Sequence, residues 1–357
     1  MKAVIMAGGK GTRLRPLTCH LPKPMVPLLD RPCMEYIIDL LKRHGTTEIA
    51  VTVQYLPQMI KNHFGDGTEF GVKLRYFEET SPLGTAGSVK NAAEFLDGTF
   101  LVISGDALTD FNLSKAVAFH EEKKALGTLV LTQVDIPLEY GIVMTEPDGR
   151  IVRFLEKPSW SEVFSDTVNT GIYVLEPEIL NLFEPGRAYD FSKDLFPLML
   201  RLGLPLYGYV AEGYWSDVGN LTQYRQAQFD ILDGLVGVKI PGIEAFPGVW
   251  LGENVTIHDL VRLEGPVFIG KGTVVESDVR IGPYTIIGRH NWLGRKAEVE
   301  RSVIWVRNYI GTSACLSGAT LCNHVRIGDG AVVNEDAVIG DKSWIGDLSV
   351  LHTRTGF

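Results

Sequence analysis

The sequence predicts an α/β protein of two domains: a mostly parallel mixed sheet covered by helices, then a parallel β-helix. From residue 1 to about 235, short β-branched runs alternate with helical spacings, the pattern of strands wrapped by helices. From Leu251 onward an aliphatic residue recurs every six positions, a period that marks stacked coils. A third observation locates the function. A glycine-rich loop, Ala7-Gly8-Gly9-Lys10-Gly11-Thr12-Arg13, directly follows the first strand pattern, and ligands of such sheets sit at the carboxyl ends of the strands.

The predicted strands are Lys2–Met6, Ile49–Val53, Lys73–Phe77, Phe100–Ile103 and Thr128–Val134, each short and rich in β-branched or aromatic residues. Met34–Arg43 carries apolar residues at 34, 37, 38 and 41 and meets a stop at Gly45, so it reads as a helix. Thr85–Leu96 and Ser114–Lys124 read the same way. This Rossmann-like region takes up residues 1–235. Pro241, Gly242, Pro247 and Gly248 mark 236–250 as a linker, and 251–357 is the β-helix. Its inward positions run Leu251, Ile257, Leu263, Ile269, Val275, Ile281, Ile287, Leu293 and Val299, with one shortening to Ile304. They continue through Ile310, Leu316 and Cys322, shorten again to Ile327, and end with Val333, Ile339 and Ile345. The chain stops at Phe357 just past a repeat with no evident cap, which leaves room for a longer natural protein.

Composition excludes several classes. The chain has 357 residues, a length that suits about two domains, and a net charge of −9. It therefore has no global basic field to recruit nucleic acid, and an anionic ligand must be held by a local cluster. No apolar run is long enough to span a bilayer. Cys19, Cys33, Cys315 and Cys322 show no Cys-x-x-Cys spacing, which argues for reduced thiols in a cytoplasmic protein rather than zinc or a disulfide scaffold.

The loop after the first strand suits a polyphosphate. Gly8, Gly9 and Gly11 allow close backbone approach and aim N–H groups at an anion. Lys10, Arg13, Arg15 and Lys23 supply positive charge. The Walker A pattern is absent, and the dinucleotide pattern fails because its sixth place, counted from Gly9, is Leu14. Asp106 follows the buried-strand pattern Phe100–Ile103 and the Ser104-Gly105 turn, where a metal-binding carboxylate would be useful; a turn or helix-cap aspartate is the plain alternative.

The string Gly11-Thr12-Arg13-Leu14-Arg15-Pro16-Leu17-Thr18 with Pro22-Lys23-Pro24 resembles the signature of the sugar-1-phosphate nucleotidyltransferases. Further matches follow in order: Pro82-Leu83-Gly84-Thr85-Ala86-Gly87, Gly105-Asp106, Tyr140-Gly141, Glu156-Lys157-Pro158, Asn169-Thr170-Gly171, Asp190-Phe191-Ser192-Lys193-Asp194 and Trp215-Ser216-Asp217-Val218-Gly219. The set looks most like mannose-1-phosphate guanylyltransferases, which also carry a hexapeptide tail. The resemblance implies a left-handed β-helix with three hexapeptides per turn and about six coils. It implies transfer of a nucleotidyl group from an NTP to a hexose 1-phosphate with loss of pyrophosphate, GTP and mannose 1-phosphate being the expected pair.

That chemistry brings two anions together, so it rests on charge neutralisation and in-line positioning. The resemblance assigns Asp106 and Asp217 as Mg²⁺ ligands, Arg13 to the leaving pyrophosphate, Lys23 to the reacting phosphates and Lys157 to the sugar phosphate. Gly8, Gly9, Gly11, Thr12, Gln54, Gly84 and Thr85 fall on the nucleotide side. Gly141, Glu156, Asn169 and Gly171 fall on the sugar side. Lys193 is a further candidate for phosphate, and Asp190 reads equally well as a helix cap. Lys10 departs from the residue that many guanylyl enzymes place there. Thymidylyl, uridylyl or adenylyl transfer to glucose 1-phosphate therefore stays open, as does a catalytically silent NDP-sugar-binding regulatory subunit.

Hexapeptide coils also build acyltransferases around a histidine, and His258, His290, His324 and His352 lie in the repeats. No long loop interrupts the coils to wall an acyl-donor site, so this second activity is not expected. An exposed terminal coil favours association, and a homodimer or tetramer is expected.

Overall fold

A computed structural model describes residues 1–352; the chain end at Phe357, where the sequence shows no cap, lies outside them. Two compact units are present. The first comprises Met1–Gly11, His20–Met25 and Cys33–Val218, the second Thr12–Cys19, Val26–Pro32 and Gly219–Phe357. No helix among the described residues is long and apolar enough to cross a membrane.

The first unit is built on a nine-stranded mixed sheet. Lys2–Met6 lies at its centre, parallel to Glu48–Val53 on one side and Phe100–Ser104 on the other. Ala3, Val4 and Ile5 are fully buried, which is why this strand reads as an unbroken apolar run instead of an alternation. Lys73–Glu78 extends the parallel half beyond Glu48–Val53. On the other side Thr167–Leu175 pairs antiparallel with Phe100–Ser104 and opens an antiparallel half that includes Gly127–Gln133, Gly141–Thr145 and Ile151–Glu156.

Apolar cores cover both faces of the sheet. Ile5 packs with Met34, Ile38 and Leu41 on one face, and Val4 with Val89, Val102 and Leu129 on the other. The helix Cys33–Arg43 buries seven of its eleven residues and stops at Gly45, whose φ of 75° suits glycine. The helix expected over Thr85–Leu96 is two pieces, Gly84–Asn91 and a single 3₁₀ turn, Ala93–Phe95. Leu113–Lys123 starts where the Asn112 side chain accepts the Lys115 N–H at 3.1 Å, a side-chain N-cap.

In the second unit the hexapeptides form parallel strands in three sheets, the architecture of a left-handed β-helix of six coils. Ile269, Ile287, Ile304, Leu321 and Ile339 stack in one column of its core. The glycine that follows the aliphatic residue has a steric cause: a Cβ on Gly270 would lie 2.6 Å from the Gly288 carbonyl carbon of the next coil.

The sequence register needs one correction. Leu321, not Cys322, occupies the inward position, pairing with Ile304 and Ile339. The second short corner therefore falls between Leu316 and Leu321, above the first one between Val299 and Ile304. Both corners turn through a residue with positive φ, Arg301 and Gly318. Part of the expected linker is also strand, since Ile243–Phe246 pairs antiparallel with Val249–Leu251. The helix Leu221–Leu232 meets the coils through the Phe229 and Tyr284 rings, 5.1 Å apart, and through an Arg225–Asp336 ion pair at 2.7 Å.

Candidate active site

The carboxyl ends of the central strands open into a cleft of about 300 Å³ in the first unit, lined in part by Gly8, Gly9, Lys23, Gln54, Gly84 and Asp106. A Cβ on Gly9 would meet nothing within 4 Å, so the loop floor is open to a ligand. Gly105 is forced by contact: its N–H donates to the Met6 carbonyl at 2.9 Å, and a Cβ there would lie 2.8 Å from that oxygen. This seats Asp106 against the end of the first strand.

Asp217 arrives from far along the chain. Trp215–Asp217 pairs antiparallel with Ala107–Thr109, placing Asp217 opposite Ala107. The Lys23 ammonium ties the two acids together, donating to Asp106 Oδ2 and lying 3.4 Å from Asp217 Oδ1. Ser104 Oγ donates to the other Asp106 oxygen. Burial by itself pushes the Asp106 carboxyl up, but the charge and hydrogen bond of Lys23, with bonds from Ser104 and its own backbone N–H, hold it below the ordinary range. Burial likewise pulls Lys23 down, and the two carboxylates outweigh it, so its ammonium stays protonated beyond the usual lysine range.

This arrangement is also a fit test for a divalent cation. One positive centre reaches both carboxylates, and the donors are hard oxygens of the kind Mg²⁺ accepts. The buried Cys33 thiol lies within electrostatic reach of these groups, and its burial raises its pKa steeply.

Gln54, Glu79, Pro82, Leu83 and Gly84 also line the cleft. Gly84 has a φ of 68°, and a Cβ there would lie 2.7 Å from the Tyr189 carbonyl oxygen. The N–H groups of Ala86 and Gly87 both donate to that oxygen at 2.9 Å. Thr85 donates to Asp190 Oδ1 from its N–H at 3.3 Å and its hydroxyl at 3.0 Å. Asp190 is thus a cap, though for the helix Gly84–Asn91 rather than for its own segment.

The sugar-side candidates gather on the antiparallel half. Glu156 pairs with Gly141, where a Cβ would lie 2.7 Å from Glu156 Oε2. Lys157 follows at a φ of 46°, its N–H held by the Tyr140 carbonyl at 3.0 Å. Asn169 donates to Tyr173 Oη at 3.0 Å and Ser192 Oγ at 3.3 Å, and accepts the Gly171 N–H at 3.1 Å. A Cβ on Gly171 would lie 3.3 Å from Ser104 Cβ, so this cluster borders the cleft at Ser104. Burial raises Glu156 above the usual carboxylate range, against the lowering influence of Lys157, Ser192 and Lys193. Lys157 and Lys193 themselves are exposed.

The remaining candidates sit elsewhere. Gly11 ends the first stretch of the first unit, whereas Thr12 and Arg13 open a 3₁₀ turn, Thr12–Leu14, that groups with the second unit. Arg13, Arg15 and Lys10 are exposed. Sequence reasoning missed Glu79, Ser88, Ser104 and Ser192. Ser88 Oγ donates to Glu79 Oε1 at 2.5 Å, and Leu83 N–H donates to Glu79 Oε2 at 3.2 Å. The only signal for Glu79 was its place just ahead of the Pro82–Gly87 turn.

Comparison with known proteins agrees with this geometry. Residues 2–234 match the family described as nucleotidyl transferase, and 263–355 match the GMPPB C-terminal domain. A UTP–glucose-1-phosphate uridylyltransferase of Synechocystis is 41% identical, covering 88% of this chain and 86% of its own. A mannose-1-phosphate guanyltransferase of Schizosaccharomyces pombe is 32% identical over 99% of this chain and 96% of its own. Among solved structures, HddC from Yersinia pseudotuberculosis complexed with GMP-PN is 25% identical, with a TM-score of 0.56 over 64% of this chain and 99% of that one. The chain belongs to the nucleotidyl transferase family and is a sugar-1-phosphate nucleotidyltransferase with a GMPPB-type C-terminal domain.

Proposed function

We propose that this enzyme joins GTP and mannose 1-phosphate to form GDP-mannose and pyrophosphate, in a cytoplasmic setting that suits its four free cysteines. The observation that carries the reaction is the cation-bridged pair Asp106 and Asp217, of which Asp106 and the bridging Lys23 line the glycine-floored cleft. Asp106 and Asp217 would hold Mg²⁺, which when bound neutralises phosphate charge and fixes its geometry. Lys23 would then turn from the carboxylates to the reacting phosphates, and Arg13 would offset charge on the departing pyrophosphate. Lys157 would orient the sugar phosphate so that its ionised oxygen attacks the α-phosphorus in line as the bond to pyrophosphate breaks. The attacking oxygen carries no proton at neutral pH, so no general base is assigned.

Glu79 supports guanine. An ionised carboxylate only accepts hydrogen bonds, and guanine presents adjacent N–H and NH₂ donors, whereas uracil offers one N–H between two carbonyls. Each Glu79 oxygen already accepts one bond and keeps a lone pair free. The Synechocystis relative favours a second reading, UTP with glucose 1-phosphate. Measuring pyrophosphate release over a panel of NTPs and hexose 1-phosphates decides between them. Fastest release with GTP and mannose 1-phosphate is expected, fastest release with UTP and glucose 1-phosphate establishes the second reading, and release with no pair overturns both.

The same proposal includes a homo-oligomer. Trp344, Leu348 and Val350 are 72%, 80% and 56% exposed on the last described coil, an apolar end that a second copy would cover. Trp344→Ser with Leu348→Glu should lower the mass measured by sedimentation; an unchanged mass removes the tail from the interface.

A further inference from the structure

The second unit contains two stretches of the signature region, Thr12–Cys19 and Val26–Pro32, which flank in sequence the stretch carrying Lys23. Both are anchored by the C-terminal part of the chain. Pro27 and Leu28 pair with Arg31 and Pro32 in a short hairpin. Its Pro27 carbonyl accepts from Tyr224 Oη at 2.9 Å, and Tyr224 Oη in turn accepts from Trp305 Nε1 at 2.8 Å. The Leu29 N–H donates to Gln228 Oε1 at 2.7 Å, and Leu29 has a φ of 54°. Arg289, at a corner of the β-helix, holds Asp30 through the side chain at 2.9 Å and the carbonyl at 3.3 Å. On the other stretch, Leu14 and Leu17 are 0% and 2% exposed, and a Cβ on Gly340 would lie 3.6 Å from Pro16 Cβ.

Ordinary tail packing would not need this. Tyr224 and Trp305 are nearly fully buried, yet their polar atoms are spent on one chain of bonds that ends at the hairpin backbone. Buried polar atoms with defined partners fix a conformation more sharply than apolar contact does. A left-handed residue at Leu29 persists only where its surroundings over-determine it. The hairpin so fixed adjoins the stretch with Lys23, and the stretch bearing Arg13 is held by its buried Leu14 and Leu17.

We propose that the β-helix is a positioning element for the triphosphate-binding cations. Trp305, through Tyr224, and Arg289, through Asp30, are positioning residues that set the backbone of the hairpin that follows Lys23 in sequence, and so the affinity for the nucleotide. This inference rests on the proposed phosphate roles of Arg13 and Lys23.

The test compares steady-state kinetics of the full chain with the substrate pair found in the panel. Trp305→Phe removes the Nε1 donor and keeps a ring; Arg289→Ala removes a half-exposed side chain. Each should raise KM for the NTP about five- to tenfold, the effect of one lost specific hydrogen bond, with KM for the sugar phosphate unchanged. Arg289→Lys should recover part of the loss. Trp292→Phe is the control, because Trp292 stacks on Tyr309 on another face of the same coils. Wild-type NTP KM in both Trp305→Phe and Arg289→Ala overturns the inference, as do equal rises in both KM values or the same effect in Trp292→Phe. Arg13→Ala is measured beside them. If it binds NTP normally, its phosphate role falls and this inference with it; if it is impaired while the positioning variants are normal, only the inference falls.

Discussion

Asp106, just past the strand Phe100–Ser104, and Glu156, at the end of the strand Ile151–Glu156, are pushed in opposite directions. Asp106, on the parallel half, is more buried, yet the ammonium and hydroxyl facing it keep it ionised. Glu156, on the antiparallel half, has lysines near it that reach solvent, and burial prevails. A direct, desolvated cation thus decides ionisation more than the number of positive residues nearby. The two halves consequently suit different work. One carries fixed negative charge that would suit a cation, and the other a mostly hydrogen-bonding surface that would suit neutral hydroxyls.

The largest expected effect breaks the charged half. Asp106→Asn or Asp217→Asn should lower kcat by about 10³-fold, the scale of losing a group that stabilises transition-state charge, and Asp106→Asn should also lower the melting temperature at neutral pH because the Lys23 ammonium loses its nearest partner. Wild-type rates in both would sink the cation assignment. The pH dependence has a definite sign. Asp106 has a depressed pKa, so its contribution to stability is present above the ordinary carboxylate range and is lost as pH falls through the depressed value. Acid unfolding of Asp106→Asn should therefore be shallower than that of wild type.

Glu156→Gln tests the other half. A raised carboxyl pKa contributes stability below the ordinary range and loses it as pH rises through the raised value, so ionised Glu156 burdens the fold at neutral pH. The amide should raise the melting temperature slightly there. It should also raise KM for the sugar phosphate about tenfold, the equivalent of one charged hydrogen bond. A melting temperature that falls on substitution would show that burial does not govern Glu156.

A smaller effect sharpens the nucleotide side. Gly84→Ala places a Cβ 2.7 Å from the Tyr189 oxygen at a φ of 68°. It should cost about 1–3 kcal/mol of stability and raise KM for NTP more than KM for the sugar phosphate. Equal KM shifts would mean that the turn serves only the fold.

The sequence made the coils legible because each rung repeats a local rule. The one slip, Cys322 for Leu321, came where two adjacent residues are both apolar and buried. The central strands were legible for a similar reason, being continuous apolar runs. The site was legible only in pieces. Asp106 announced itself through Ser104-Gly105, but its meeting with Asp217 depends on a strand pair that no local pattern encodes. Glu79 and Ser192 are ordinary polar residues whose position comes from the fold. The grouping of Thr12–Cys19 with the tail left no mark in the sequence, because its contacts are long-range and involve common residue types.

Ser192 gives the finest probe of the comparison. Its hydrogen bond favours the ionised form of Glu156, and its oxygen also accepts from Asn169. Ser192→Ala leaves burial nearly unchanged and removes that bond, so the Glu156 pKa should climb further. If the carboxylate is the form that receives sugar hydroxyls, the acid limb of kcat/KM for the sugar phosphate should move to higher pH. The plateau value should fall only about two- to threefold, because a single neutral hydrogen bond contributes modestly. In Ser192→Ala with Glu156→Gln the shift caused by Ser192→Ala should vanish, and the limb that remains should be that of the sugar phosphate's own second ionisation. A limb that still shifts with Ser192→Ala when Glu156 is already Gln belongs to another acid, and the division between a charged half and a burial-governed half would then have to be redrawn around that residue.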